Sequence, residues 1–299
     1  WLKLPAGSRP GPVPRPHGSG PGMSGDQRNA QGDAAGAEQA ECRSGQRMAD
    51  GETISYDLYA PGAAGGGAIF LHGFAGGRAA LAHHARRAAA LGAAALAVDL
   101  SSLTRGGSFR EILIERSVRS AQLRNVRQAV DHAIWLNRWP LVLVGHSAGG
   151  AVALEATVAL QEAGKPPAAV ILLDAVPWQE TCELAARLDL AASAVVSVRA
   201  EPSAWNKEGM IMQALQRIPQ GPGGRLVDLK IKDARHADPM EPTLVLKLLG
   251  VVGGGQEAFG RLLEAHLCEA LGLAPEGAPR PKELEAGLLE AGILVPPDA

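Results

Sequence analysis

The sequence has few of the features that mark disulfide-rich, membrane-spanning or nucleic-acid-binding proteins. The cysteines are Cys42, Cys182 and Cys268, and their wide spacing and odd number exclude a disulfide framework and a cysteine metal site. They indicate free thiols in a reducing compartment, so we predict a cytoplasmic protein. No apolar run approaches the roughly eighteen residues of a membrane span. The formal net charge is −2 and the central region has no dense basic run, so no nucleic-acid partner is expected.

The first fifty residues differ in composition from the rest of the chain. Proline and glycine dominate WLKLPAGSRPGPVPRPHGSGPG, and residues 24–50 have almost no large apolar side chain. Because such a segment buries too little surface to offset its ordering entropy, we predict that residues 1–50 are disordered. Since the chain begins at Trp1, we expect either a fragment or an over-extended reading frame, with Met23 and Met48 as candidate starts.

Strand-like and helix-like runs alternate from Glu52 onward. This alternation indicates a parallel sheet covered by helices on both faces, so we predict a doubly wound, mostly parallel α/β domain over residues 51–252. The predicted strands are TISYDLYAP at an edge, GGAIFLHG, GAAALAVDL, LVLVG, AAVILLDAV, SAVVSVRA and finally RLVDLKI. The predicted helices are GRAALAHHARRAAALG, Arg116–Asn137, AVALEATVALQEAG, one helix between Asp174 and Ser193, and the closing PTLVLKLLGVV. Only 18 residues separate Asp174 from Ser193, which leaves no room for a cap domain.

Residues 253–299 are predicted to form a helical extension. GGGQEAF begins with a flexible hinge, and EAFGRLLEAHLCEALGL is an amphipathic helix expected to pack on the domain. KELEAGLLEAGI is predicted to form a second helix after a proline-rich linker. Neither helix carries recognisable chemistry.

A serine flanked by glycines follows one of the buried strands. LVLVGHSAGG contains the G-x-S-x-G pattern at Gly145, Ser147 and Gly149. The pattern alone is weak evidence, since the chain has 37 glycines in 299 residues. Its position between a strand and a helix is the context of a nucleophile elbow, so we predict Ser147 as nucleophile and the N–H of Ala148 as an oxyanion donor. The alternative is a serine that only caps the helix.

A second loop at the same end of the predicted sheet offers another donor. In FLHGFAGG, a buried strand ends at His72 and Gly73, and the chain then turns through Phe74 and Ala75 into a helix. Acyl transfer needs two backbone donors near the tetrahedral oxygen, and we predict Phe74 as the second one, with Ala75 as the next choice. The alternative is an ordinary strand–helix turn with a buried histidine.

One histidine lies on a loop late in the chain, where a general base is expected. KDARHADPMEP follows the last predicted strand and places His236 between small residues, after the serine in chain order. We therefore predict His236 as the base. Six other histidines are weaker candidates: His83 and His84, expected to be solvated beside two arginines, His132 in mid-helix, His266 near the C-terminus, and His72 and His146 in the loops above.

With HGF, GHSAGG and ARHADP in this order, residues 52–250 resemble a serine esterase of the α/β-hydrolase fold. More narrowly, VGHSAGG followed by ILLDAVPW resembles the branch that holds platelet-activating-factor acetylhydrolases, chlorophyllases and cutinase-like polyester hydrolases. The resemblance implies a Ser-His-acid triad without a metal or an organic cofactor. It does not identify the substrate, because function does not follow from fold.

Two residues compete for the acid of this triad. In cutinase-like enzymes the acid follows the penultimate strand, where this chain has Ser203 at the matching position and Glu201 two residues earlier. In platelet-activating-factor acetylhydrolases and chlorophyllases it ends the strand after the nucleophile helix, which points to Asp174. Asp174 closes an apolar run, where a carboxylate needs a hydrogen-bond partner, and His236 would provide one. We predict Asp174, with an aspartate that caps a turn as the alternative, and we expect Glu201 to bond the loop of His236.

The sequence therefore predicts a hydrolase of carboxylic esters that forms an acyl-enzyme. An acyltransferase or thioesterase with the same residues is the alternative, and a non-catalytic binding protein of this fold is a third interpretation. Without a cap the groove would be open, which suits small-molecule or lipid-like esters with bulky or extended acyl groups. Trp178 and Trp205 follow two strand ends and are candidates to line it, although tryptophan there is also common in a core. The sequence does not indicate an oligomeric state.

Overall fold

In the computed structural model, a mostly parallel sheet forms the centre of the protein. The structure describes residues 41–60, 65–74, 76–103, 115–241, 253–273 and 280–296. They lie in one compact unit, Glu38–Ala299. Within them the sheet has the order β1-β2-β4-β3-β5-β6-β7-β8-β9. Its strands are β1 Glu41–Ala49, β2 Glu52–Ala60, β3 Gly67–Leu71, β4 Ala94–Val98, β5 Leu141–His146, β6 Ala169–Leu173, β7 Ala194–Arg199, β8 Leu226–Ile231 and β9 Leu294–Val295.

Strands β3 to β8 run parallel to one another, and antiparallel pairs occur only at the two ends of the described sheet. Strand β2 is antiparallel to β1 and β4, and β9 is antiparallel to β8. This arrangement confirms the predicted α/β class. The prediction that TISYDLYAP is an edge strand is wrong, because β1 covers it; RLVDLKI is likewise not the last strand, because β9 pairs beyond it.

Helices cover both faces of the sheet. Alternate residues of each strand point to opposite faces, so Ile69 and Leu71 join one apolar cluster with helices α2 and α3, while Phe70 joins another with α1 and α6. The helices are α1 Ala82–Ala90, α2 Glu115–Leu136, α3 Ala148–Glu162, α4 Gln179–Leu184, α5 Ile211–Leu215, α6 Gln256–Leu271 and α7 Pro281–Glu290. The predicted closing helix, residues 242–252, lies outside the described residues. None of the described helices combines the length and apolar character needed to cross a bilayer.

The prediction that residues 1–50 are disordered is wrong for residues 41–49. They form β1, which pairs with β2 along its whole length from Glu41 opposite Ala60 to Ala49 opposite Glu52. Asp50 and Gly51 make the turn with φ values of 48° and 77°, as a two-residue hairpin with both central residues left-handed requires. Most of β1 is exposed and polar, so its stability comes from pairing rather than burial, which composition does not reveal. Residues 1–40 lie outside the described part of the chain.

The C-terminal helices are part of the hydrophobic core. Helices α6 and α7 lie where the sequence predicts them, and α6 buries Phe259, Leu262 and Leu263 against the sheet. After α7 the chain returns to the sheet as β9, where Leu294 pairs with Ile231. Helices α6 and α7 and strand β9 therefore complete one face of the domain.

The hairpin predicts different results for two N-terminal truncations. Removal of residues 1–40 should leave the melting temperature and turnover unchanged, because that segment has too few large apolar residues to contribute to a core. Removal of residues 1–49 also deletes β1, uncovers the edge of β2 and exposes Ile54 and Tyr59, which are buried. We expect a melting temperature lower by roughly 5–10 °C, from a loss of about 2–3 kcal/mol. Thermal unfolding followed by circular dichroism measures this, and equal melting temperatures for the two truncations would contradict it.

Candidate active site

The turn between β5 and α3 holds Ser147 in a strained backbone conformation. Its φ and ψ are 55° and −126°, a region that costs a non-glycine residue about 1–3 kcal/mol. Two neighbours hold the turn: the Ser147 N–H donates to the Leu173 carbonyl at 3.2 Å, and the Val176 N–H donates to the Ser147 carbonyl at 2.9 Å. The serine hydroxyl is therefore presented at the carboxyl end of the sheet by a fixed backbone.

The glycines around Ser147 are required by close backbone approach. A Cβ atom at Gly145 would overlap the Gly149 backbone, and one at Gly149 would overlap the carbonyl group of Leu71 at the end of β3. A Cβ at Gly73 would lie 2.7 Å from the Ser147 Cβ. Larger residues at these positions would therefore prevent the close packing of the start of α3 against the ends of β3 and β5.

Three of the predicted side chains lie in hydrogen-bond contact. The Ser147 Oγ lies 2.9 Å from the His236 Nε2, and the His236 Nδ1 lies 2.5 Å from the Asp174 Oδ2. A carboxylate only accepts, so Nδ1 carries the imidazole proton and Nε2 is free to accept from the serine hydroxyl. The structure brings together residues separated by 62 and 89 positions in the chain.

Asp174 follows β6 and is 1% exposed. The Ala200 N–H donates to its Oδ1 at 3.0 Å, and the Asn206 Nδ2 donates to the same oxygen at 3.2 Å. These donors, with His236, satisfy a carboxylate that burial would otherwise disfavour. Asn206 is a site residue that the sequence reasoning missed, because it lies in a 3-10 turn without a motif. Its own Oδ1 accepts from the backbone N–H groups of Ser203 and Gly209, which fixes the direction of its amide.

Glu201, the competing acid, lies beside Lys230. Its side chain is 39% exposed, and its Oε2 lies 3.8 Å from the Lys230 Nζ. Its bond to the loop of His236 is made by the backbone, since the Glu201 N–H donates to the Ala234 carbonyl at 3.2 Å. Among the residues that the structure describes, Asp174 is the carboxylate in contact with His236.

The two predicted oxyanion donors lie on the loops that meet at Ser147. Ala148 is the first residue of α3, so its N–H has no acceptor within the helix and stands at the positive end of the helix dipole. Phe74 follows Gly73, which touches the serine, and its side chain is exposed. Ala75, the second choice, lies outside the described residues.

Two buried histidines hold the loops of the site. Leu100 donates its N–H to the His72 Nε2 at 2.9 Å, so the His72 Nδ1 carries the proton and donates to the Gly73 carbonyl at 2.7 Å. The His146 Nε2 donates to the His236 carbonyl at 2.8 Å. Burial lowers the pKa of His72, and it lowers the pKa of His146 to about 3, so both are neutral near pH 7.

The environment of His84 differs from the prediction. The side chain was expected to be solvated with His83, but it is buried under the loop of His236, and its Nε2 donates to the Pro239 carbonyl at 2.9 Å. Burial holds the pKa of His84 well below its usual value. The helical pattern failed here because α1 packs against a loop 155 residues away.

The two tryptophans that are candidates to line the groove, Trp178 and Trp205, lie on the segments that follow β6 and β7. The segment between β6 and β7 contains only α4 and a 3-10 turn at Ala185–Arg187, as its length predicts. Trp178 precedes α4, and the Lys207 ammonium lies 4.4 Å from its ring centroid. Trp205 follows β7 and is 71% exposed, so it is not a core residue. The described residues contain no group of three or more histidine, cysteine or acidic side chains arranged to hold a metal ion.

Comparisons with known proteins support a hydrolase fold. The model of the thioesterase domain family matches residues 126–202, a segment that contains Ser147 and Asp174 and ends before His236. A search of curated protein sequences finds no significant match.

Many solved structures resemble the chain. A dienelactone hydrolase from Anabaena variabilis is 20% identical with a TM-score of 0.53, over 71% of this chain and 94% of that one. A dienelactone hydrolase-like promiscuous phosphotriesterase from metagenomic libraries is 19% identical with a TM-score of 0.56, over 79% and 99%. An esterase of Pyrobaculum calidifontis is 16% identical with a TM-score of 0.52, over 80% and 88%. The protein has the α/β-hydrolase fold.

Proposed function

We propose that the protein is a serine hydrolase that cleaves carboxylic esters through an acyl-enzyme. The observation that supports this most strongly is the continuous hydrogen-bonded chain from Ser147 through His236 to Asp174. A non-catalytic binding protein of this fold would have no need for a strained serine, an imidazole and a buried carboxylate in contact.

In the proposed reaction, the Ser147 Oγ attacks the ester carbonyl while the His236 Nε2 accepts its proton. The Asp174 carboxylate holds the Nδ1 proton and stabilises the imidazolium that forms. The N–H groups of Phe74 and Ala148 stabilise the negative charge on the former carbonyl oxygen. His236 then gives its proton to the leaving alcohol, and the acyl group stays on Ser147. A water molecule, deprotonated by His236, releases the acid and restores the serine. No step requires a metal or an organic cofactor.

The position of Asp174 favours a resemblance to one part of the branch considered in the sequence analysis. The acid that contacts His236 ends the strand after the nucleophile helix, which resembles platelet-activating-factor acetylhydrolases and chlorophyllases more than cutinase-like enzymes. The short connection between β6 and β7 and the exposed Trp205 suit a bulky or lipid-like ester in an open groove.

A thioesterase is the second candidate function. The thioesterase-domain match covers the nucleophile turn and the strand that ends at Asp174. The same residues would transfer the acyl group of a thioester to water, because the tetrahedral oxygen and the acyl-enzyme are common to both reactions.

Paired substrates separate the two functions. We expect the wild-type protein to hydrolyse p-nitrophenyl esters, and to give a higher kcat/KM for them than for coenzyme A thioesters with the same acyl groups. A consistent preference for the thioesters would favour the second candidate. A folded wild-type protein that hydrolyses neither series and does not react with a fluorophosphonate would refute the proposal of a serine hydrolase.

A further inference from the structure

A second buried carboxylate lies two residues after His236. Asp238 is 1% exposed, and its carboxylate accepts from three backbone N–H groups. Arg235 donates to Oδ2 at 2.9 Å, Gly255 donates to Oδ2 at 3.0 Å, and Gly253 donates to Oδ1. Gly255 is the N-cap of α6, so the negative charge also lies at the positive end of a 16-residue helix.

The glycines before α6 form a fitted site for this carboxylate. A Cβ atom at Gly255 would lie 2.7 Å from the Ala234 Cβ and 2.9 Å from the Asp238 Oδ2, and one at Gly253 would lie 2.9 Å from the same oxygen. A Cβ at Gly254 would meet nothing within 4 Å. The predicted flexible hinge at GGGQEAF is therefore wrong for these residues, because two of its three glycines make fixed contacts with Asp238.

These contacts hold the backbone of the loop that carries His236. The Asp238 N–H donates to the Arg235 carbonyl at 2.9 Å, which closes a turn around His236, and the side chain of Asp238 ties that turn to α6. Helix α6 is itself fixed in the core by Phe259 and Leu262. His146 also donates to the His236 carbonyl.

We propose that Asp238 is a positioning residue, which sets the distance of the His236 imidazole from Ser147 and Asp174 by anchoring its loop to the start of α6. The inference rests on the proposed role of His236 as the base. Misplacement of a catalytic group by about 1 Å costs on the order of 100-fold in rate. An anchor that acts only on the base should affect kcat and leave KM unchanged.

The positioning role is tested with Asp238→Asn and with two glycine variants, Gly255→Ala and its control Gly254→Ala. The amide keeps one acceptor oxygen and turns an NH₂ group toward a backbone donor, so we expect kcat for a p-nitrophenyl ester to fall about 10- to 100-fold with KM unchanged. Gly255→Ala, which pushes against the Asp238 carboxylate, should lower kcat in the same way. Gly254→Ala should behave as wild type. The proton between the His236 Nδ1 and the Asp174 Oδ2 should give a proton NMR signal that shifts or disappears in the first two variants only.

The outcomes separate this inference from the proposed function. If wild type and Ser147→Ala have equal activity, the proposed function fails. If wild type is active and Asp238→Asn is folded with wild-type kcat and an unchanged signal, the positioning role is wrong. A lower melting temperature with kcat and the signal unchanged would show that Asp238 only stabilises the fold, which also overturns the inference. If Asp238→Asn does not fold, the kcat and the proton NMR signal of Gly255→Ala decide whether the positioning role is correct.

Discussion

Replacement of Ser147 with alanine is expected to lower kcat for ester hydrolysis by at least about 10⁴-fold, because it removes the atom that forms the acyl-enzyme. The Leu173 and Val176 bonds that hold the turn involve only the backbone of residue 147, so they survive the change. Alanine and serine are similarly strained at a φ of 55°, and we expect the melting temperature to stay within about 2 °C of wild type.

Steady-state kinetics and thermal unfolding of the purified variant measure the two effects. Thr157→Ser is a suitable control, because Thr157 is a buried hydroxyl on α3 that bonds the Ala153 carbonyl and lies outside the site. Retention of wild-type turnover by a folded Ser147→Ala variant would show that the reaction does not use this serine.

Replacement of Asp174 with asparagine is expected to lower kcat by about 10⁴-fold, since it favours the wrong tautomer of His236. The Ala200 N–H and the Asn206 amide both donate to Oδ1, so the oxygen of the new side chain should stay with them. Its NH₂ group then faces the His236 Nδ1 and forces the imidazole proton onto Nε2. In that tautomer, Nε2 cannot accept the proton of the serine hydroxyl.

Glu201→Gln is the matched control for Asp174→Asn. Its side chain is partly exposed beside Lys230, and its bond to the loop of His236 is made by the backbone N–H, which the substitution leaves intact. We expect a change in kcat of no more than a few-fold. The comparison uses the same ester and folded proteins, and the reverse ranking of the two variants would move the acid of the proposed triad to Glu201.

The sequence predicted the parts of the fold that depend on local pattern. Strands such as β5 and β6 are buried on both faces of the sheet, so they occur as apolar runs of five or six residues that are recognisable without a structure. The turn at Ser147 was predictable because its glycines are required by close packing at fixed spacing. Asp174 was predicted from the resemblance to platelet-activating-factor acetylhydrolases and chlorophyllases, with the added argument that a carboxylate at the end of an apolar run needs a partner.

Features without an apolar pattern or a motif, and contacts between distant segments, were not predicted from the sequence. Strand β1 has almost no apolar pattern, and only the Asp50-Gly51 pair signals its hairpin. Asn206 donates to the Asp174 carboxylate, 32 positions earlier in the chain, and Asp238 accepts from the backbone of Gly255, 17 positions later. The burial of His84 likewise depends on a loop that follows β8.

The location of a covalent adduct tests whether Ser147 is the nucleophile. The wild-type protein is treated with a fluorophosphonate, its intact mass is recorded, and the modified residue is found by peptide mass spectrometry after digestion. We expect one adduct per chain, on Ser147, formed at a rate that falls sharply in His236→Ala because the serine loses its base. An adduct on another serine, or ester hydrolysis at full rate by a protein whose Ser147 is already modified, would contradict it.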